Sequence, residues 1–320
     1  MQRRMNVAYI LGVDIGGTSI KAGLFDKSGN LIDVKKIQTI EIVNDVAYAM
    51  VVQGLGELLS ARDVSSSEVA AIGMTVPGPV DSDGRVGVLA NISLDAEGLK
   101  GALHKAFPAA TIAFVNDANA AALGELWQGG AQGVSNCVMV TLGTGVGGGV
   151  IVDGHLVAGA FGAAGEIGHL TMNYEETQTC GCGRKGCLEQ YASAKGIVRL
   201  YHAACERAKQ TPVELSHETD TISVFKAYAA GDACAKEAIE EMSEYLGRAL
   251  ALIACVVDPE VVLIGGGVAG GYDVYAEKVT ESFWRHCFSG CAAMRISAAT
   301  LGNEAGMYGA AYCALQQWGK

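Results

Sequence analysis

The sequence predicts two similar α/β domains, and two observations carry that reading. The first is an internal repeat. An apolar strand over residues 9–14 breaks at Ile15-Gly16-Gly17-Thr18-Ser19, resumes over 20–25, and turns at Asp26-Lys27-Ser28-Gly29-Asn30. The same order returns at 138–142, with a break at Gly143-Thr144-Gly145-Val146-Gly147, a strand over 149–152 and a turn at Asp153-Gly154-His155. From the first glycine of the break to the turn aspartate is ten positions in both copies, Gly16 to Asp26 and Gly143 to Asp153. Two unrelated hairpins remain the alternative to a duplication. The second observation is composition. The chain of 320 residues is 50% hydrophobic, with 43 glycines against 5 prolines, which suits tight backbone turns around a full core rather than a flexible chain.

Taken in order, the first hairpin is followed by a returning strand over 31–38 and by helical periodicity over 44–59. Residues 69–76 read as a strand ended by the rigid turn Pro77-Gly78-Pro79. A strand over 111–115 ends at Asn116-Asp117, and the alanine-rich stretch 118–127 reads as a helix. In the second half, 192–209 and 222–230 read as helices, and 234–257 as a long one stopped by Asp258-Pro259. A strand over 260–264 runs into Gly265-Gly266-Gly267, and a short strand over 296–298 precedes Asn303, placed to cap a last helix over 304–317. The expected domains are 1–116 plus about 303–320, and 117–302.

The formal net charge of −11 argues against nucleic acid as a main partner. No apolar run reaches the roughly 18 residues of a membrane span, and the N-terminus carries no export signal, so a cytoplasmic protein is expected. Cys137, Cys205, Cys234, Cys255, Cys287 and Cys313 follow no framework spacing and read as reduced core residues.

Three glycine turns, at Gly16-Gly17-Thr18, Gly143-Thr144-Gly145 and Gly265-Gly266-Gly267, expose backbone N–H groups in the manner of a phosphate cradle. Each alone reads as a tight hairpin; the three together favour a nucleotide lying between the domains. No Gly-x-x-x-x-Gly-Lys-Ser/Thr loop is present, and the first glycine turn leads into a strand rather than a dinucleotide-binding helix. Asp14, before the first turn, is placed either to hold magnesium through water or to make a local turn bond. Asp117, at the carboxyl end of a strand, is placed either to take a proton from a substrate hydroxyl or to cap the helix that follows.

The stretch from Gly165-Glu166-Ile167-Gly168-His169 to Cys180-Gly181-Cys182-Gly183-Arg184-Lys185-Gly186-Cys187-Leu188-Glu189 brings three cysteines within eight residues, each beside a glycine. Three thiolates and an imidazole complete a tetrahedral zinc site. A disulfide pair or ordinary buried thiols are the alternatives for the cysteines, and a satisfied polar residue the alternative for His169.

These segments, Asp14-Ile15-Gly16-Gly17-Thr18, Asn116-Asp117, Gly143 to Gly149, Glu166 to His169 and Cys180 to Glu189, resemble the ROK family of sugar kinases, bacterial glucokinases in particular, over essentially the whole chain. The resemblance implies an actin/hexokinase-like ATPase fold of ribonuclease H-like repeats, with ATP·Mg2+ and a hexose in the cleft between two domains. It implies Asp117 as the base for the sugar 6-hydroxyl, with Gly78, Asn91, Asn116, Glu166, His169 and Glu189 contacting the sugar. Asp14, Gly16, Gly17, Thr18, Lys21, Thr144 and Gly145 would serve the phosphates and their metal, and Gly265, Gly266 and Gly267 the adenosine side. His169, Cys180, Cys182 and Cys187 would bind a structural zinc, and a homodimer or dimer of dimers is expected. The first strand starts near residue 8, which leaves no room for the DNA-binding helices of the family's repressors. Family glucokinases often carry Pro-Asn-Leu and a tryptophan where this chain has Ala90-Asn91-Ile92-Ser93-Leu94, so the sugar stays open between glucose, N-acetylglucosamine, allose and fructose. A sugar-sensing protein with little turnover is the alternative from another class.

Overall fold

The computed structural model describes residues 8–16, 19–38, 41–89 and 92–318. The chain divides into two compact units: Met1–Gly133 with Leu156–Ala164 and Asn303–Lys320, and Val134–His155 with Gly165–Gly302.

The first unit opens with β1 (Tyr9–Ile15), β2 (Ser19–Phe25) and β3 (Leu31–Gln38), an antiparallel meander. Helix α1 (Asp45–Ser60) is capped by Asn44, whose side chain accepts from the Ala47 N–H. Strand β4 (Val69–Val76) lies parallel to β1, α2 (Ala96–Ala106) follows, and β5 (Thr111–Asn116) lies parallel to β4 before α3 (Asp117–Gln128). The sheet order is β3-β2-β1-β4-β5.

The second unit repeats this plan. It contains β6 (Cys137–Leu142), β7 (Val146–Val152), β8 (His155–Leu156), helices α4 (Glu189–Ala192), α5 (Ala194–Ala208), α6 (Thr221–Ala229) and α7 (Ala233–Val257), then β9 (Val261–Gly265), α8 (Tyr272–His286) and β10 (Arg295–Ala298). Its sheet order is β10-β9-β6-β7-β8, with β6 antiparallel to β7 and parallel to β9. Read from the far edge, this is the order of the first sheet, strand for strand, so the repeat seen in the sequence is a repeat of topology. The last helix, α9 (Ala305–Trp318), returns to the first unit.

The first sheet treats its two faces differently. Leu11, Val13, Ile20, Leu24, Ile72, Met74 and Phe114 build one core with Leu55 and Leu58 of α1 and Leu99 of α2. The opposite face carries Gly23, Gly12, Gly73 and Ala113 in register across four neighbouring strands. This row is a trough for α9: a Cβ at Gly12 would strike the Met307 carbonyl, and one at Gly73 the Ala310 carbonyl. Helix α9 also crosses α3 backbone to backbone, where a Cβ at Gly309 would overlap the Ala120 carbonyl oxygen. Carbonyls cannot step aside as side chains do, so Gly309→Val is expected to lower the unfolding free energy by about 3 kcal/mol or more. Urea denaturation reads this directly; an unchanged midpoint would mean the crossing is looser than described.

Four expectations are corrected. The first domain does not end at residue 116: α3 belongs to the first unit, held there by its close crossing with α9. Asn303 is no cap for the last helix; it lies inside a single 3-10 turn, Gly302–Glu304, and the helix starts at Ala305. Strand β7 starts at Val146 rather than 149, because the glycines there pair with β6 as strand residues. Helices α2 and α8 went unread. Only Leu99 and Leu103 of α2 are buried, and α8 buries just a stripe of Tyr275, Val279, Ser282 and Phe283.

Candidate active site and metal centre

In the first unit the site residues gather where strands end. Asp14 is half-buried near the end of β1, and its Oδ1 accepts from Thr75 Oγ1 at 2.7 Å. Across the hairpin from Asp14 stands Lys21, whose Nζ donates to the Asn303 carbonyl at 3.0 Å. The Gly16 N–H donates to Ser19 O at 3.2 Å and starts the hairpin turn. Gly17, Thr18 and Asn91 lie outside the described residues. Magnesium takes one or two carboxylates and otherwise keeps its waters. Asp14 fits that demand, since among the described residues no donor reaches its Oδ2.

Asn116 settles the question of the cap. It is extended (φ −61°, ψ 148°), and its Oδ1 accepts from the N–H groups of Ala118 and Asn119 at 3.0 and 3.1 Å. Its Nδ2 donates to the Gly78 carbonyl at 3.1 Å, tying the proline turn to the start of α3. Asn116 therefore holds local structure with both ends of its side chain. With the cap taken, Asp117 is the first residue of α3, and it accepts from Ala118 N–H at 2.9 Å and from the Asn116 side chain. Its side chain is open to solvent, so a ligand can reach it. The protein around it still removes enough water to push its pKa above the ordinary 3.8, and the charge of Asp14 pushes in the same direction. An accessible carboxylate of raised basicity is what proton abstraction from a hydroxyl requires.

In the second unit, Gly143-Thr144-Gly145 links β6 to β7, closed by Gly143 N–H to Gly145 O at 2.9 Å. Among the described residues the N–H groups of Thr144 and Gly145 have no partner, as a phosphate cradle needs. Glu189 comes against this turn. Its Oε2 accepts from Val146 N–H at 3.0 Å and occupies the space that a Cβ on Gly145 would fill. Gly265 ends β9, and Gly266 has φ +83° with its Cα against Leu142 backbone, a place only glycine fills without strain. Gly267 opens a short 3-10 turn, Gly267–Gly271. Glu166 is exposed and precedes the 3-10 turn Ile167–His169.

The ligand atoms of His169, Cys180, Cys182 and Cys187 all lie within 4.8 Å of one another, the only such group of three or more metal-ligating residues among the described residues. Cys182 and Cys187 sulfurs are 3.6 Å apart, and Cys180 Sγ is 4.0 Å from His169 Nδ1. Tetrahedral ligands about 2.0–2.3 Å from a zinc ion sit roughly 3.5–3.8 Å from each other, so the four residues fit such an ion. The loop is shaped by Cys180 N–H to Arg184 O at 2.7 Å and by Gly183 N–H to Cys180 O at 2.8 Å. Arg184 donates to the His169 carbonyl at 2.6 Å. The Arg184 backbone bond and guanidinium hold the Cys182 thiol down to about 6, while burial pushes Cys187 up to about 12 and Cys180 upward too. Buried thiols of this kind become thiolates when a cation takes the place of their protons.

Sequence reasoning missed the supports. Gln190 accepts from Cys187 N–H and donates to the Gln178 carbonyl, both at 3.1 Å. Tyr191 donates to Glu176 at 2.7 Å, and Arg199 pairs with the same carboxylate at 3.2 Å. Thr75 was likewise unread. Nothing in spacing marks these residues.

A duplicated five-stranded mixed sheet with glycine turns at strand ends defines the actin/hexokinase-like fold class. Within it, the chain belongs to the ROK family, whose model matches residues 10–317. It is 35% identical to a glucokinase of Halalkalibacterium halodurans over 98% of this chain and 97% of that one. It is 30% identical to an N-acetyl-D-glucosamine kinase of Photobacterium profundum over 94% of this chain and 97% of that one. Among solved structures, a ROK family glucokinase from Streptomyces griseus in complex with glucose and AMPPNP matches with a TM-score of 0.76 and 31% identity, covering 97% of this chain and all of that one (100%).

Proposed function

We propose that this protein is an ATP-dependent hexose kinase that transfers the γ-phosphoryl group of ATP to the 6-hydroxyl of glucose. The observation that carries the reading is Asp117: solvent-accessible, relieved of capping by Asn116, and raised in basicity by burial and by Asp14. The likeness to named glucokinases supports the choice of sugar.

In this reading Asp117 accepts the 6-hydroxyl proton as that oxygen attacks the γ-phosphorus, and the bond to the β-phosphate oxygen breaks to release ADP. Gly78, Asn91, Asn116, Glu166, His169 and Glu189 bind the remaining hydroxyls. The unpartnered Thr144 and Gly145 N–H groups, with Gly16, Gly17, Thr18 and Lys21, bind the phosphates, and Gly265, Gly266 and Gly267 bind the adenosine. Asp14 would hold magnesium, which neutralises charge on the phosphates. His169, Cys180, Cys182 and Cys187 would hold zinc in a closed, structural set, since four protein ligands leave no position for water. With His169 Nδ1 turned to the metal, Nε2 carries the proton and is a fixed donor for a sugar hydroxyl.

An ADP-release assay across a panel of hexoses tests the reading. Glucose is expected to give the highest kcat/KM. N-acetylglucosamine in first place would favour the second reading, which the Photobacterium relative supports. Tight binding of one sugar with no turnover on any would favour a sensor.

The proposal includes a cytoplasmic setting and a homodimer or dimer of dimers. No helix among the described residues is long and apolar enough to cross a membrane. Within the apolar end of α7, Ala249, Leu250, Ile253 and Ala254 are core, while Leu252 and Val256 are exposed, as are Trp284 and Phe288 at and just after the end of α8. Light scattering at micromolar concentration should give at least a dimer mass; a monomer mass would contradict this part.

A further inference from the structure

We infer that Thr75 is a positioning residue for Asp14, fixing the carboxylate that holds magnesium in the reading above, on which this inference rests. Thr75 stands on β4 directly across from Asp14 on β1 and is fully buried. Its hydroxyl makes two hydrogen bonds of different sense. It accepts from the Ile15 N–H at 3.1 Å, and it meets Asp14 Oδ1 at 2.7 Å. A backbone amide can only donate, so it occupies a lone pair of the hydroxyl oxygen. The single hydroxyl proton is then directed at the carboxylate. The chain of donation runs one way, from amide to hydroxyl to Asp14. Rotating Thr75 out of this arrangement would strand a buried donor.

A second wall stands on the α9 side. A Cβ at Gly306, on the first turn of α9, would lie 3.2 Å from both Cγ and Oδ1 of Asp14. The carboxylate is thus confined between a hydroxyl that grips one oxygen and a helix that leaves it just enough room. Oδ2 is the atom left for a cation or its water. Partners that orient a metal-binding carboxylate are worth about 10–100-fold in metal affinity.

The test uses Mn2+ as the probe, with AMPPNP, followed by electron paramagnetic resonance. Thr75→Val removes the hydroxyl and keeps the volume, Thr75→Ala removes both, and Thr75→Ser keeps the hydroxyl. Thermal unfolding identifies which variants are folded, and Thr75→Ala serves if Thr75→Val is not. The folded hydroxyl-less variants should bind Mn2+·AMPPNP about tenfold more weakly. They should need more magnesium for half-maximal turnover, with glucose affinity unchanged, while Thr75→Ser stays close to wild type. Unchanged Mn2+ affinity without the hydroxyl, or an equal loss in Thr75→Ser, overturns the inference. Failure of the wild-type protein itself to take up Mn2+ with AMPPNP removes the reading of the magnesium site, and the inference with it.

Discussion

Asp117→Asn is expected to lower turnover by at least ~10²-fold while leaving glucose affinity nearly intact. The amide keeps the shape of the side chain and an oxygen for the Ala118 N–H, which in the wild type donates to Asp117 Oδ1 at 2.9 Å. It loses basicity alone. The wild-type kcat/KM should fall in acid with an apparent pKa above an aspartate's ordinary 3.8, because burial first, and the charge of Asp14 next, disfavour the ionised form. The residual activity of the variant should lack that limb. Stability should move the other way. With its folded pKa raised, Asp117 favours folding most when protonated, and that contribution is lost as pH rises through the raised value. At neutral pH the wild type therefore carries an ionised group its surroundings disfavour, and Asp117→Asn should melt at a higher temperature, with the difference shrinking in acid. Near-normal turnover in the variant would reduce Asp117 to the first residue of a helix.

The hairpins were legible because the pattern is local: a strand, a glycine break and a turn aspartate, ten positions apart in both copies. The Cys/His cluster was legible for the same reason, with three of its four residues inside an eight-residue stretch. What the sequence left open was decided by backbone geometry and distant contact. Asn116 and Asp117 are both good helix caps on paper, and only the extended backbone of Asn116 assigns the cap to it. Thr75 meets Ile15 from sixty positions away and Asp14 from sixty-one, and no spacing rule reaches that far. The row Gly23, Gly12, Gly73, Ala113 exists only once the strands are in register. Helix α8 was lost because its buried stripe is thin and its remaining surface polar, so periodicity had little to act on.

Removing the zinc proposed for His169, Cys180, Cys182 and Cys187 is expected to weaken glucose binding about tenfold or more, and nucleotide binding much less. The reason lies in what the metal would hold. His169 turns Nδ1 to the Cys180 sulfur, so a bound metal would fix both the tautomer and the aim of Nε2. Cys180 Sγ lies 3.8 Å from Glu189 Oε1, so the same knot would position a second proposed sugar contact. The link to the phosphate turn is thinner: one bond, from Val146 N–H to the other oxygen of Glu189, while the turn is held by the pairing of β6 and β7 and by Ala194 N–H, which donates to the Gly143 carbonyl at 2.8 Å. Cys182→Ser should reproduce the effect, since among the described residues no hydrogen bond joins Cys182 to a proposed sugar contact. The direct measurement is calorimetric titration of glucose and of AMPPNP on metal-free and zinc-loaded protein whose fold has been checked by circular dichroism. A large loss for glucose beside a small one for AMPPNP is the predicted result; equal losses, or glucose affinity unchanged without the metal, would contradict the claim that the metal knot orients the sugar.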